Sequence, residues 1–393
     1  MTNVAPPLNP PVRTLMGPGP SDIHPRVLQA MSKSTVGHLD PYYLQLMDDL
    51  QGMLRNLFRT QNSLTMAISA TGSAGMEATV VNLIERGDTM VVCVNGVFGG
   101  RMADVAERAG AAVVRVERPW GEVFTPDDLK PVLEQHRPKV VGIVMAETST
   151  GASQPIHEIS DLVHSHEALL LVDAVTSLGG MEVEVDQWNI DAIYSGSQKC
   201  LSCPPGLSPV SFSQRAVDVV TSRKTKVQSW YLDVSMLASY WNDDRVYHHT
   251  APINMSYALY EALRLIHEEG LENSFARHLL NHRALRAGLE QLGLSYSADE
   301  NNLLPMLNAV NIPDGIDDAR TRRELLERFG IEIGGGLGAF KGKVWRIGLM
   351  GYAARQNNVL LLLAALEQLL AEQGHEFAAG QSIAAANCVY LGG

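Results

Sequence analysis

The chain has 393 residues, of which 46% are hydrophobic and 19% are charged. This length and composition predict two folded domains with a substantial core, and they exclude a mainly disordered protein. The net charge of −12, from 43 acidic and 31 basic residues, argues against a nucleic acid or an anionic membrane surface as the main partner. Small neutral or anionic metabolites are the favoured ligands.

The cysteine content indicates the compartment. The four cysteines, at positions 93, 200, 203 and 388, are too few for a disulfide framework in a chain of this length. They predict a reducing compartment and therefore the cytoplasm. The Pro-rich N-terminus lacks the continuous apolar stretch of a signal peptide, and no uncharged apolar run reaches the length that spans a bilayer. We expect no membrane association.

Hydrophobic periodicity predicts the first two thirds of the chain to be an α/β domain. Residues 41–59 carry apolar residues at helical spacing, and short apolar runs then alternate with helix-length segments. The predicted strands are 64–68, 90–94, 112–116, 140–145, 169–172 and 191–194, and the later helices are 76–85, 100–108, 126–134 and 156–164. Such an alternation is typical of a mainly parallel sheet covered by helices on both faces.

The pattern changes beyond about residue 265. Helices are predicted at 274–292, 318–329 and 356–372, with strands at 306–312 and 344–349, which indicates a smaller α+β domain. We therefore divide the chain into an N-terminal arm (1–22), a large α/β domain (23–265), a small domain (266–372) and a tail (373–393). The tail shows no clear periodicity, and we expect it to be frayed.

Three loops that follow predicted strands could carry chemistry, because ligands of such sheets lie at the carboxyl ends of the strands. Residues 69–75 (SATGSAG) could cradle a phosphate at a helix N-terminus, or form an ordinary tight turn. Asp173 could accept backbone hydrogen bonds or pair with a cationic ligand atom. Lys199 stands among small residues, where burial would lower its pKa and make the amine nucleophilic, although most lysines are simply exposed.

Together the three loops match the needs of pyridoxal 5′-phosphate. Its aldehyde forms a Schiff base with a lysine amine, its phosphate requires an anion cradle, and its pyridine nitrogen stays protonated beside a carboxylate. Lys199, residues 69–75 and Asp173 would supply these contacts. The combination favours a cofactor site over the structural alternative for each loop.

Longer motifs point the same way. They are GPGPS (17–21), LLLVDAVTSLGG (169–180), YSGSQK (194–199), SRKTK (222–226), YHHT (247–250), GGGLG (334–338) and KVWRIGLMG (343–351). In these motifs the chain resembles the alanine:glyoxylate and serine:pyruvate aminotransferase group of class V, fold-type I pyridoxal-phosphate enzymes, from about residue 14 to about residue 371. The resemblance implies a mainly parallel, seven-stranded type of sheet and a smaller C-terminal domain.

The resemblance also implies roles for individual residues. Lys199 would carry the Schiff base and act as the base for the proton shift, and Asp173 would bind the pyridinium. Arg346 would bind the substrate carboxylate through two parallel hydrogen bonds, and Gly19 would also contact the substrate. The other cofactor contacts would come from Thr71, Gly72, Ser73, Phe98, Thr148, Val175 and Gln198, and from Tyr247 and Thr250 of the other subunit of a homodimer. Phe98 stands where some members have tryptophan, and Thr148 where related enzymes often have serine.

Two further clusters favour structural roles. Cys200 and Cys203 lack a second pair of ligands at zinc spacing. His278 and His282 share a helix face without the glutamate of an HExxH motif, so we expect a solvated face. No metal site is predicted.

The sequence thus predicts a homodimeric aminotransferase with ping-pong kinetics that moves the amino group of alanine or serine to glyoxylate or pyruvate. No second arginine is clearly placed for a dicarboxylate, so aspartate and glutamate should be poor donors. One alternative is another class V reaction, such as ureidoglycine:glyoxylate transamination or cysteine desulfuration. A cofactor-binding module without catalytic activity is the other alternative.

Overall fold

The structure is a computed structural model that describes residues 5–392. Its strands are β1 (Thr14–Leu15), β2 (Leu64–Ile68), β3 (Thr89–Val94), β4 (Ala112–Glu117), β5 (Val140–Val144), β6 (Ala146–Glu147), β7 (Ala152–Ser153), β8 (Leu169–Asp173), β9 (Ala192–Tyr194), β10 (Ser208–Phe212), β11 (Leu307–Asn311), β12 (Ile331–Glu332), β13 (Gly334–Gly335) and β14 (Val344–Gly348). Its α-helices are α1 (Pro25–Met31), α2 (Pro41–Phe58), α3 (Gly72–Leu83), α4 (Val97–Ala109), α5 (Pro126–His136), α6 (His157–Ser165), α7 (Gln214–Thr221), α8 (Val234–Trp241), α9 (Ile253–Glu269), α10 (Leu271–Gln291), α11 (Asp318–Phe329), α12 (Gln356–Ala371) and α13 (Gln381–Tyr390). Within the described range no helix is long and apolar enough to span a bilayer.

The central sheet has seven strands in the order β2-β10-β9-β8-β5-β3-β4. The neighbours from β9 to β4 pair in parallel, whereas β10 runs antiparallel to both β2 and β9. Every residue of β5 and β8 is buried, as expected for strands covered on both faces. The predicted α/β class with a mainly parallel sheet is confirmed.

Two helices begin earlier than their apolar periodicity predicts. Helix α3 begins at Gly72 and α4 at Val97, whereas the predicted starts were residues 76 and 100. Small and glycine residues at these starts hide the helical pattern. As a result, Gly72, Ser73 and Phe98 lie in first helical turns, whose N–H groups have no partner inside the helix.

The C-terminal part is built on the antiparallel sheet β11-β14-β13, with α10, α11 and α12 packed around it. The N-terminal arm joins this part, because β1 pairs in parallel with β12. The arm then reaches the large sheet, where the Ser21 N–H donates to the Gln198 carbonyl (2.9 Å) and the Ser21 hydroxyl to the Lys199 carbonyl (2.7 Å). Helix α9 runs across residue 265, and the division into domains remains a prediction.

The expectation of a frayed tail is wrong. Residues Gln381–Tyr390 form α13, in which the side chains of Ser382 and Ala386 are fully buried. The Tyr390 hydroxyl donates to Asn281 of α10 at 2.7 Å. Small residues allow this close packing, since a methyl group at Gly288 of α10 would lie 3.0 Å from the Ser382 carbonyl.

The expectation of a solvated histidine face on α10 is also wrong. His278 and His282 are buried, because this face of the helix turns towards the interior. His278 donates from Nδ1 to the Ser274 carbonyl (2.7 Å) and accepts the Gly351 N–H at Nε2 (2.8 Å). Burial lowers the pKa of His278 to about 3, so the ring is a neutral bridge between α10 and the loop after β14.

Candidate active site

A cavity of about 220 Å³ opens at the carboxyl ends of the parallel strands. The predicted site residues that line it are Gly72, Ser73, Phe98, Thr148, Asp173, Val175, Gln198 and Lys199. They follow β2, β3, β6, β8 and β9, so the sheet brings together side chains that are far apart in the sequence. Such a position is typical of ligand sites in open α/β sheets.

Asp173 is the last residue of β8 and has only 4% of its surface exposed. The Tyr194 hydroxyl donates to Oδ2 (2.6 Å), and the Val175 N–H donates to Oδ1 (2.8 Å). The two residues meet because Asp173 and Tyr194 are paired in register across β8 and β9. Burial raises the pKa of Asp173 to about 6, while these hydrogen bonds and the nearby cations of Lys199 and Arg101 favour the carboxylate.

Lys199 lies five residues after the end of β9, with 8% of its surface exposed. Burial lowers the pKa of its ammonium to about 8, and Nζ donates to the Pro18 carbonyl of the arm. Gly19 lies directly against this side chain. A Cβ at Gly19 would be 2.6 Å from Nζ, and its φ of +108° favours glycine, so the lysine packs against bare backbone.

The N-terminus of α3 has the properties of an anion cradle. Thr71 precedes the helix in an extended conformation, and its side chain forms no capping hydrogen bond. Among residues 5–392, the N–H groups of Gly72 and Ser73 have no acceptor. Gln198 lies beside them, and its buried Oε1 has no hydrogen-bond partner within that range. Thr71 itself is exposed and does not line the cavity.

Arg346 lies behind Thr148 and is not part of the cavity lining. It is 7% exposed, and burial lowers the pKa of its guanidinium. Nε donates to the Gly335 carbonyl (2.8 Å) and Nη1 to the Thr148 carbonyl (3.4 Å). Nη2 has no acceptor among the described residues, so part of the guanidinium is available to a ligand.

Tyr247 and Thr250 do not reach the cavity of their own subunit. Both are exposed, and neither belongs to its lining. Their loop is attached to the start of the α3 cradle, since His249 Nε2 lies 2.7 Å from the Ser69 hydroxyl. Trp230 stacks on His248 beside them, with ring centroids 4.3 Å apart.

The family model for aminotransferase class V matches residues 14–360. The chain belongs to the class V aminotransferase family.

Members of this family are similar over nearly the whole chain. An alanine–glyoxylate aminotransferase from Callithrix jacchus is 43% identical, with 93% of this chain and 89% of that protein covered. The (S)-ureidoglycine–glyoxylate transaminase of Bacillus subtilis is 41% identical, with 97% of this chain and 96% of that protein covered. The crystal structure of an alanine–glyoxylate aminotransferase from Nostoc sp. superimposes with a TM-score of 0.92 at 51% identity, covering 93% of this chain and 97% of that one. The predicted family, fold type and enzyme class are confirmed.

The cavity of this class V aminotransferase contains residues that sequence reasoning missed. Arg101 lines it and lies over the Phe98 ring, 5.0 Å from the centroid, without an ion pair to any described residue. Its position three residues after Phe98 on a helix was the available signal. Tyr194 also lines the cavity, although the sequence indicated it only as the end of a strand and the start of a motif. Glu147, at the end of β6, was not singled out by the sequence and lies outside the lining. Within residues 5–392 no group of His, Cys, Asp or Glu residues could hold a metal ion.

Proposed function

We propose that this class V aminotransferase uses pyridoxal 5′-phosphate to transfer the amino group of alanine or serine to glyoxylate or pyruvate. One observation carries the proposal: a buried lysine amine and a buried carboxylate line the same cavity, next to a helix N-terminus with free N–H groups. The relatives named alanine–glyoxylate aminotransferases support the small substrates.

The residues present fit the cofactor. The free N–H groups of Gly72 and Ser73 suit a phosphate group, and the side-chain NH2 of Gln198, which lines the same cavity, can donate to its oxygens. Val175 and Phe98 offer apolar surfaces for a ring in the same cavity. When bound, pyridoxal phosphate reacts through its aldehyde with primary amines and withdraws electrons from the α-carbon of an attached amino acid.

Asp173 would have an electrostatic role, and Lys199 would transfer protons. The hydrogen bonds from Tyr194 and Val175 hold the Asp173 carboxylate in place, where it can pair with a protonated ring nitrogen. The pKa of Lys199, lowered to about 8, leaves a useful fraction of free amine near neutral pH. That amine can attack a carbonyl, and as a free base it would be able to accept the proton of a substrate α-carbon.

Arg346 would bind the carboxylate that amino acid and oxo acid share. Two of its nitrogens are held by backbone carbonyls, which orients the guanidinium before substrate arrives. The charge suits a carboxylate, and the buried position strengthens the interaction because water is excluded.

We also propose a homodimer whose subunits share their active sites. Large apolar side chains are exposed together on one face, with Trp230 60%, Val246 54% and Tyr247 55% exposed. An exposed apolar face of this kind is typical of a subunit interface. Tyr247 and Thr250 would then complete the phosphate site of the partner subunit.

A half-reaction panel tests the function. Purified holoenzyme is mixed with single amino acids without an acceptor, and the visible absorbance of the cofactor and the oxo acid released are followed. Alanine and serine should bleach the visible band and release one oxo acid per site. A protein that fails to acquire a visible band with pyridoxal phosphate would refute the proposal. Strong reaction with glutamate would contradict the small-donor expectation.

Ureidoglycine–glyoxylate transamination is a second candidate, favoured by the relative from Bacillus subtilis. The two reactions share the acceptor and differ in the donor. Competition between alanine and ureidoglycine for glyoxylate therefore separates them through the ratio of kcat/KM for the two donors.

We infer a cytoplasmic location from the thiols. All four cysteines are free, and Cys93, Cys200 and Cys203 are buried. Protein prepared without reductant should titrate as four thiols after denaturation. Recovery of a disulfide would contradict a reducing compartment.

A further inference from the structure

Glu147 is a fully buried carboxylate at the site for which the proposed reaction has no role. It ends β6, and none of its surface is exposed. Among the described residues no lysine, arginine or histidine forms an ion pair with it. Four donors satisfy it instead: the N–H groups of Phe98 (3.0 Å) and Gly99 (3.3 Å) to Oε2, and the N–H (3.1 Å) and hydroxyl (2.6 Å) of Ser149 to Oε1.

These contacts make Glu147 the cap of α4, although it lies about fifty residues away in sequence. Gly96 precedes the helix and has no side chain to cap it. The Ser149 hydroxyl accepts the Val97 N–H (2.9 Å), so residues 147–149 satisfy the first three N–H groups of α4. A carboxylate at this end is also favoured by the helix dipole. A Cβ at Gly96 would overlap the Glu147 side chain, so glycine leaves room for the carboxylate.

The capped turn carries Phe98, and the capping loop carries Thr148. Arg346 donates to the carbonyl of that same Thr148. One buried side chain therefore connects the aromatic wall of the cavity with the loop that orients the substrate arginine. A lost cap would free the first turn of α4 and with it the Phe98 ring.

We propose that Glu147 is a positioning residue that fixes the Phe98 ring against the cofactor by capping α4 from the neighbouring strand end. The inference rests on the proposed function, because it assigns a task to a residue of that same site. Glu147 forms no hydrogen bond to Lys199 or Asp173 among the described residues, whereas it accepts the N–H groups of Phe98 and Gly99, so it acts through Phe98.

Cofactor affinity and visible circular dichroism test the proposal. Glu147→Gln keeps an acceptor for the Phe98 N–H but loses the charge, and Glu147→Ala loses both. We expect Glu147→Ala to raise the dissociation constant of pyridoxal phosphate about tenfold, with Glu147→Gln in between. Both should change the circular dichroism of the bound cofactor, which reports the asymmetry of its surroundings. Gly96→Ala should have the same effect on affinity and circular dichroism while Glu147 itself is unchanged, because the added Cβ displaces the Glu147 side chain. This variant keeps the proposal testable if Glu147→Ala fails to fold.

A double-mutant cycle and a matched control complete the test. If Glu147 acts through Phe98, its effect on affinity should disappear in a Phe98→Ala background, whereas equal effects in both backgrounds would overturn the proposal. Asp191 is a comparably buried carboxylate outside the cavity, 2% exposed and hydrogen-bonded to the Leu170 N–H. Asp191→Asn should lower the melting temperature without changing the cofactor signal. If the wild type binds pyridoxal phosphate and the Glu147 variants bind it with unchanged affinity and circular dichroism, this inference alone is refuted. If the wild type shows no cofactor band, the proposed function is refuted.

Discussion

At the scale of single residues, the burial of Lys199 has a consequence that can be measured as a pH dependence. Its pKa is lowered to about 8, so the free amine becomes predominant above that pH and the inert ammonium below it. The rate at which apoprotein captures pyridoxal phosphate should therefore rise with pH up to about 8 and then level off. Stopped-flow absorbance after mixing measures this rate.

The pH profile expected for a solvent-exposed lysine provides the comparison. Its pKa of about 10.4 would make the rate climb tenfold per pH unit well above pH 8. A capture rate that keeps rising tenfold per pH unit above pH 8 would show that the Lys199 amine is exposed to solvent and not buried. Lys199→Ala should show no such capture at any pH.

Arg346 supplies a second prediction at this scale. Arg346→Ala should raise KM for alanine and for glyoxylate together, by about 10- to 100-fold, because both carry the carboxylate and a charged hydrogen bond is lost. Arg346→Lys should recover part of the affinity, since it keeps the charge without the planar fork. Steady-state kinetics with each substrate varied in turn measures the effect.

An exposed arginine provides the matched comparison. Arg115 lies on the edge strand β4, 41% exposed and paired with Glu107, so Arg115→Ala should leave both KM values unchanged. Unaltered KM values for Arg346→Ala would contradict its assigned role.

At the scale of elements, the packing of the tail helix α13 indicates that this helix stabilises the C-terminal part of the chain. Ala386 is fully buried against the neighbouring helices, whereas Ala384, two residues earlier, is exposed. Ala386→Asp should lower the melting temperature by several degrees, because it buries an unpaired charge. Ala384→Asp puts the same residue on the outer face and should change the melting temperature by less than about 1 °C. Equal melting temperatures for the two variants would mean that α13 is detached in solution.

The same scale shows what the sequence could predict. Strands β3, β5 and β8 were identifiable because each is a continuous apolar run that both helical layers bury. Strand β10 was missed, since Pro209 and two serines interrupt its apolar residues, although every position is buried. Helix α13 was missed because alanine and glycine obscure periodicity, and only the close approach to α10 explains its order.

The residues of the candidate site also differ in whether the sequence could predict them. Lys199, Asp173 and the α3 cradle follow strands in local sequence, so chain order alone placed them at one edge of the sheet. The place of Glu147 depends on the approach of the 147–149 loop to α4, which no local pattern encodes, whereas Arg101 could have been found from its helical spacing to Phe98. Arg346 needed the family resemblance, because it comes from a different sheet.

At the scale of the whole molecule, shared active sites predict complementation between two inactive variants. Lys199→Ala removes the amine, and Tyr247→Ala removes a side chain that is exposed in its own subunit and outside its own cavity. In a mixed dimer, the subunit with Tyr247→Ala keeps Lys199 and receives the intact Tyr247 from its partner. One of the two sites is then complete, whereas the other lacks both the Lys199 amine and the Tyr247 side chain.

The size of the rescue follows from random assembly. Half of the dimers from an equal mixture are mixed, and each has one complete site, so about one quarter of wild-type activity should appear after denaturation and refolding together. The parent variants refolded separately are the controls, and each should stay far below that value. Light scattering at the same concentration establishes whether dimers form. If dimers form but their activity does not exceed the summed activity of the two variants refolded separately, Tyr247 serves the site of its own subunit. A site built within one chain gains nothing from a partner that lacks Lys199.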